Sequence, residues 1–342
     1  MKKIVLLTLI SILLTACNFD NSKDNVVNIL NWSSYIPDVV IRDFEKETNI
    51  KVNYGTYSSN EELLAKISSA KEGTYDLIFP SDYMIELMKN RDLITTIDKS
   101  KLTNLNNINP NYLNLSYDYG NNYSLPFLAA TVVIAVNTEN IKDNITSYND
   151  LLNPKYQNNI VLIDDQRIII GMALLALGYD MNETDETKLK QAKEWLLKLK
   201  NNVKAFDSDS PKTFLISKEV DIGVLWNAEA AIAMEENSNI KTIYPNEGFA
   251  LSIDNFAIPK GSKNQDNAYK FIDYILRPEV MQKIIESYPY KNVNKETDKL
   301  LDSNYLNNNA ANISDKMIKN GILVKNIGSF VKDYDKVWAQ IK

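Results

Sequence analysis

A chain of 342 residues is too long for one ordinary hydrophobic core and points to two domains, and its 44% hydrophobic and 24% charged content is that of a globular protein. A formal charge of −6 is no footprint for nucleic acid, which wants clustered positive charge. The lack of any histidine excludes Ser-His-Asp and Cys-His nucleophiles, histidine-ligated zinc and a histidine general base; a glycosidase built on two carboxylates survives that test.

At the N-terminus, Lys2-Lys3 precede an apolar run from Ile4 to Leu14, too short to span a bilayer and flanked like a signal peptide. Leu14-Thr15-Ala16-Cys17 follows at once and resembles the lipobox of bacterial lipoproteins. That resemblance implies a signal peptide over residues 1–16, lipidation at Cys17 and a polar tether over 17–25. Cys17 is the only cysteine, so it makes no internal disulfide. Removing residues 1–16 takes away Lys2 and Lys3 and no acid, leaving a formal charge of −8 that is compatible with a cationic ligand. No later run reads as a transmembrane helix.

Val26 to Leu30 reads as a buried strand, and Pro37 opens a helix carrying Val39, Val40 and Phe44 that closes at Thr48-Asn49. Ile50 to Tyr54 alternates as a second strand. Ser59 starts a helix with Leu63, Leu64 and Ile67 on its apolar face. Tyr75 to Phe79 is a third strand, followed by a helix from Met84 to Asn90. This βαβαβ order argues for a parallel sheet with helical cover. No glycine-rich phosphate motif occurs.

Residues 104–122 are Asn-rich and irregular. Thr131 to Val136 is a long apolar strand leading into a second lobe, with a short helix at 148–152. Ile160 to Ile163 is a buried strand, a nearly all-apolar helix spans about 167–177, and an amphipathic helix covers 184–201 with Trp195 facing the core. Val220 to Leu225 is a strand running into a helix at 230–235. Phe249 to Pro259 is extended. Helices follow at about 266–276 and 278–287, and the tail has helical spacing over 314–320 and 330–341.

Five of the strand-like segments end in polar and aromatic residues: Trp32/Tyr35, Ser81/Asp82/Tyr83, Asp164/Asp165, Trp226/Glu229 and Ser252/Asp254. In an open α/β sheet the ligand crevice lies outside the carboxyl ends of the strands. Each cluster alone has a plain reading, as packing or as a helix N-cap, the role expected for Asp164, for Ser81 and for Asp82. Together they present carboxylates, an indole and phenols, where an anion site would present amides, hydroxyls and Arg. Paired carboxylates and ring faces are what an ammonium needs on leaving water.

Asn31-Trp32-Ser33-Ser34-Tyr35-Ile36-Pro37, Asp76-Leu77-Ile78-Phe79-Pro80-Ser81, Asp98-Lys99-Ser100-Lys101-Leu102-Thr103-Asn104, Leu225-Trp226-Asn227 and Asp254-Asn255-Phe256-Ala257-Ile258-Pro259 closely resemble the spermidine/putrescine-binding proteins of polyamine ABC importers. The likeness keeps the same order over nearly the whole chain after Cys17. It implies an α/β, two-lobed periplasmic-binding-protein fold, type II, with two hinge-crossing strands and a ligand held between closing lobes. Lobe 1 is expected over 26–130 and 254–300, lobe 2 over 131–253 and 301–342. Matching positions imply ligand contacts at Trp32, Ser33, Tyr35, Ser81, Tyr83, Asp165, Trp226, Asp254 and Tyr290. Asp165 would hold a terminal ammonium and Asp254 another amine, with Trp32 and Trp226 beside the methylene chain.

Three positions depart from the spermidine-binding pattern: Ile168 in place of a glutamate, Ser252 of a tryptophan and Val324 of a glutamine. Glu229 instead resembles an acid of putrescine-preferring members, so the expected site favours putrescine or tolerates both amines. The resemblance further implies a monomeric, cofactor-free, non-enzymatic subunit, anchored by lipid on the periplasmic side and delivering polyamine to permease subunits. Competing readings are another cationic or small polar ligand on the same fold, a glycosidase using Asp165 and Asp254, and a surface adhesin. A ferric-ion site would want clustered tyrosines with histidine, and two site tryptophans do not suit it.

Overall fold

The computed structural model describes residues 25–342; the expected signal peptide, Cys17 and all but the last residue of the tether lie outside the described residues. Among the described residues eleven strands, β1 (Val26–Trp32), β2 (Lys51–Tyr57), β3 (Leu77–Ile78), β4 (Ser124–Asn137), β5 (Ile160–Leu162), β6 (Val203–Phe206), β7 (Ile222–Trp226), β8 (Ile240–Ile243), β9 (Phe249–Ala257), β10 (Lys291–Asn292) and β11 (Gly321–Leu323), join in one curled sheet. Its main path runs β2-β1-β3-β9-β4-β7-β5-β6.

The sheet turns on β4, whose 14 residues are all buried. Over Ser124 to Thr131 it pairs antiparallel with β9; from Val132 onward it pairs with β7, and from Ile134 with β8. β9 does the converse. Its later half faces β3 and the first part of β4, and Phe249 to Leu251 also pairs with β11. Two antiparallel strands therefore carry the chain between the β1–β3 half and the β5–β7 half, as expected for hinge-crossing strands. The register slips between Pro126 and Leu128, where Pro126 has no amide to donate to the ladder. In each half the parallel strands put their carboxyl ends toward the junction.

The expected elements recur with shifted ends. β1 continues to Trp32, two residues past the apolar run, because Asn31 and Trp32 still pair with Thr56 and Tyr57. β4 begins seven residues before Thr131. β6, β8 and a helix over Lys212–Ile216 have no counterpart in the periodicity, being four or five residues long and partly exposed. The helices at Asp38–Thr48, Gln166–Ala176, Glu186–Leu199, Gln265–Ile275, Pro278–Ser287 and Val331–Ile341 lie where their apolar spacing puts them.

The chain crosses the junction again near 303–311. The Tyr305 hydroxyl donates to the Tyr290 carbonyl at 2.8 Å and accepts from the Asn292 amide, while the Asn227 amide group donates to the Ala310 carbonyl at 3.1 Å. Asn227 is fully buried and its carbonyl also accepts from the Thr131 amide, so one side chain ties β4 to this crossing.

Candidate functional site

All ten sequence-predicted contacts, Trp32, Ser33, Tyr35, Ser81, Tyr83, Asp165, Trp226, Glu229, Asp254 and Tyr290, lie on the wall of one cavity of about 670 Å³ at the junction of the two halves. The three departing positions, Ile168, Ser252 and Val324, lie on the same wall.

Asp254 stands in mid-β9, where antiparallel pairing with β3 extends into a bridge to Ser81. The Ser81 hydroxyl donates to Asp254 Oδ1 at 2.6 Å and the Tyr35 hydroxyl to Oδ2 at 2.7 Å. The residue is only 2% exposed, and burial raises its pKa to about 6 against the pull of those two bonds. Burial, then the Asp254 charge, pushes the Tyr35 phenol well up, so it stays a donor. Ser81 occupies the cap position of the helix Asp82–Asn90 but makes no capping bond, its oxygen being committed to Asp254.

The aromatic wall is held from behind. The Phe79 carbonyl accepts both the Trp32 indole N–H at 2.9 Å and the Tyr57 hydroxyl at 2.6 Å, with the two rings 4.7 Å apart. Tyr35 lies 4.8 Å from Tyr290 and 6.2 Å from Trp32, centroid to centroid. The ring faces are thus fixed before any guest arrives, which limits the entropy lost on binding. Trp226 closes β7 in the other half and packs against two hydrophobic clusters, one of which spans both halves.

Asp165 caps the helix Gln166–Ala176: its Oδ1 accepts the amides of Arg167 at 2.8 Å and Ile168 at 3.1 Å. The cap expected at Asp164 is one residue further on, because β5 ends at Leu162 and two residues are needed to turn the chain. Asp164 instead pairs with Lys342. Asp165 is half-buried on the cavity wall, and loss of solvent, followed by the Glu61 charge, raises its pKa to about 6. Asp82 is the first residue of its helix rather than the cap and is absent from the cavity wall. Its carboxylate accepts the Tyr83 amide at 2.8 Å and the Ile253 amide at 3.4 Å, and burial drives its pKa well up.

The wall carries further charged side chains outside the expected set, among them Glu61, Arg167, Asp209 and Asp335. Glu61 accepts from the Tyr83 hydroxyl at 3.1 Å and brings a carboxylate of the β2–β3 side up to Asp165. It follows β2 as Tyr35 follows β1, and the strand-end rule pointed there, but Ser59-Asn60-Glu61-Glu62 also reads as a plain helix start. Arg167 places its guanidinium between the rings of Tyr83, at 5.6 Å, and Tyr334, at 5.3 Å, and donates to the Lys325 carbonyl. Glu229 reaches the wall with its charge already engaged: Lys212 Nζ lies 2.8 and 2.9 Å from its two oxygens.

Among the described residues no Lys or Arg side chain hydrogen-bonds Asp165 or Asp254, although the Arg167 charge acts on Asp165 from nearby, so the cavity offers these two carboxylates to an organic cation. Among the described residues no three or more His, Cys, Asp and Glu side chains group to hold a metal ion, and no helix is long and apolar enough to cross a membrane.

The Escherichia coli spermidine/putrescine-binding periplasmic protein is 37% identical over 320 residues, 93% of this chain and 92% of that protein. A solved ABC-transporter protein from Listeria monocytogenes superposes with a TM-score of 0.89 at 34% identity, over 93% of this chain and 98% of that one. The TpPotD lipoprotein of Treponema pallidum gives 0.84 at 27% identity, over 93% and 99%. These likenesses agree with the expected type II architecture. Residues 40–311 match the model of the bacterial extracellular solute-binding proteins, and the chain belongs to that family.

Proposed function

We propose that this protein is the polyamine-binding subunit of an ABC importer, taking up putrescine, spermidine or both in the cavity between its lobes. The observation that carries the reading is the pair Asp165, half-buried, and Asp254, buried, two carboxylates from opposite halves with no Lys or Arg side chain hydrogen-bonded to either, on a cavity walled by Trp32, Tyr35, Trp226 and Tyr290. A diamine compensates both charges and lays its methylenes against the rings, each cation–π contact contributing about 0.5–2 kcal/mol. The name of the Escherichia coli relative supports the same ligand class.

Lobe 1 spans 26–130 and 254–300 in this reading, and lobe 2 spans 131–253 and 301–342; the change of partners along β4 supports the first boundary. The ten wall residues are the ligand contacts. The subunit is a monomer without catalytic activity, tethered through lipidated Cys17 on the periplasmic side of the membrane, and it hands its cargo to permease subunits. A Treponema pallidum relative described as a lipoprotein fits the anchor.

Calorimetric titration of the purified chain from residue 18 onward with putrescine, spermidine, neutral oligosaccharides and amino acids tests the assignment. Saturable one-to-one binding of at least one polyamine is expected. Heat from the sugars and none from the amines would sink it and revive the glycosidase reading.

A further inference from the structure

Glu229 is the wall acid whose position matches putrescine-preferring relatives, yet both its oxygens already hold an ammonium belonging to the chain. Lys212 opens the short helix Lys212–Ile216, Glu229 sits in the first turn of the helix Asn227–Glu236, and the two helices pack together. The pair is enclosed, the side chains being 21% and 13% exposed, so it is screened far less than a surface ion pair. Lys212 does not itself reach the cavity wall. It therefore acts on the cavity from behind, by cancelling the charge that Glu229 presents.

Resting on the polyamine reading, we infer that Lys212 is a specificity-determining residue that silences Glu229 and fits the site to diamines over triamines. The cavity of about 670 Å³ has room for either ligand, so size does not choose between them. Charge does. Two ammonium groups are met by Asp165 and Asp254. Glu61, which accepts from Tyr83 and acts on Asp165, and Asp209 and Asp335 also line the wall, but all three are exposed, so water and salt screen their charges and they do not compensate an ammonium taken out of solvent. A third ammonium led toward Glu229 finds a carboxylate whose field is offset by Lys212 and each of whose oxygens already accepts from that lysine. Burying it there leaves it uncompensated. The sequence shows only the acid; the cation that mutes it comes from 17 residues upstream on an element without periodic signal.

The test is a charge cycle read by calorimetry with putrescine and spermidine at pH 7.5, on the wild type, Lys212→Met, Glu229→Gln, the double variant and Lys212→Arg. Freeing Glu229 in Lys212→Met should raise the ratio of spermidine to putrescine affinity at least tenfold. Baring Lys212 in Glu229→Gln should lower it, and the double variant and Lys212→Arg should both return it to within threefold of wild type. Lys212→Met and Glu229→Gln each break one side of the pair, so if one fails to fold, the other and the neutral double variant still decide. A ratio unchanged in both single variants, or a gain in Lys212→Met that survives in the double variant, overturns the inference. Failure of the wild type to bind either amine would instead remove the polyamine reading on which it stands.

Discussion

Asp254 should be both the strongest ligand anchor and a source of instability in the empty protein, and one substitution separates the two. It is buried in β9, it accepts only from Tyr35 and Ser81, and its pKa is raised to about 6. A bound ammonium holds the carboxylate ionised, so below pH 6 the amine must displace a proton. From pH 7 to pH 5 apparent affinity should fall about tenfold for each carboxyl that titrates near 6, hence about a hundredfold with Asp165 included. In Asp254→Asn only Asp165 remains, so the fall should shrink to about tenfold. At pH 7.5 the variant should lose about two to four orders of magnitude in affinity, the range expected when about 3–5 kcal/mol of buried charge pairing is removed. Stability runs the other way. A folded pKa raised from 3.8 to about 6 contributes stability that is fully present below the unfolded value and lost as pH rises through about 6. At pH 7.5 the empty wild type has therefore given up about 3 kcal/mol at this group, and a neutral amide recovers part of it. One hydroxyl can go on donating to the amide oxygen while the other turns to accept from the new N–H, so Tm of the ligand-free variant should hold or rise by a few degrees. Titrations between pH 5 and 8 in buffers of different ionisation enthalpy, with parallel thermal scans, measure all three quantities. A variant that keeps wild-type affinity and pH slope, or melts several degrees lower without losing affinity, refutes the assignment.

Asp165→Asn keeps a good N-cap for Gln166–Ala176 and should leave the melting temperature within about 2 °C while lowering amine affinity at least tenfold; a destabilised protein with intact affinity would make Asp165 a cap alone. Trp226→Ala removes an indole that packs on both clusters, so affinity should drop about tenfold and stability by about 2–4 kcal/mol, measured by titration and urea unfolding. Ile168→Glu puts a carboxylate on the wall beside the Asp165 amide partners and should favour spermidine over putrescine in competition titrations; a loss of both amines alike would argue that the added charge only repels Asp165.

The sequence made the wall of the cavity readable and left its wiring dark. Strand ends are visible because apolar runs stop abruptly at Trp32, Ser81, Asp165 and Trp226, and the parallel order gathers those ends on one side. Hydrogen-bond partners have no such signal. Ser81 and Asp82 look equally like caps, and only the bridge between β3 and β9, 173 residues apart, shows that Ser81 serves Asp254. The caps at Asp164 and Asp165 differ by a single residue of turn, below what periodicity resolves. β6, β8 and the Lys212 helix escaped because pieces of four or five residues carry less than two turns or two full alternations.

What escaped is also where selectivity is set. Of the two acids proposed to hold an amine, Asp165 follows the end of β5 and is visible there, while Asp254 stands inside β9, where only the strand's pairing turns it to the cavity. The groups that tune those acids arrive from elements with no pattern of their own: Glu61 from a helix start that reads as ordinary, Lys212 from a helix of one turn and a half. A site built this way can keep its ligand class while its preference drifts. Replacing Lys212 or Ile168 leaves the strands, the crossing at β4 and the two anchoring carboxylates untouched. Counting wall carboxylates therefore overstates the charge offered to a ligand, and the count becomes meaningful only once each acid's partner behind the wall is known.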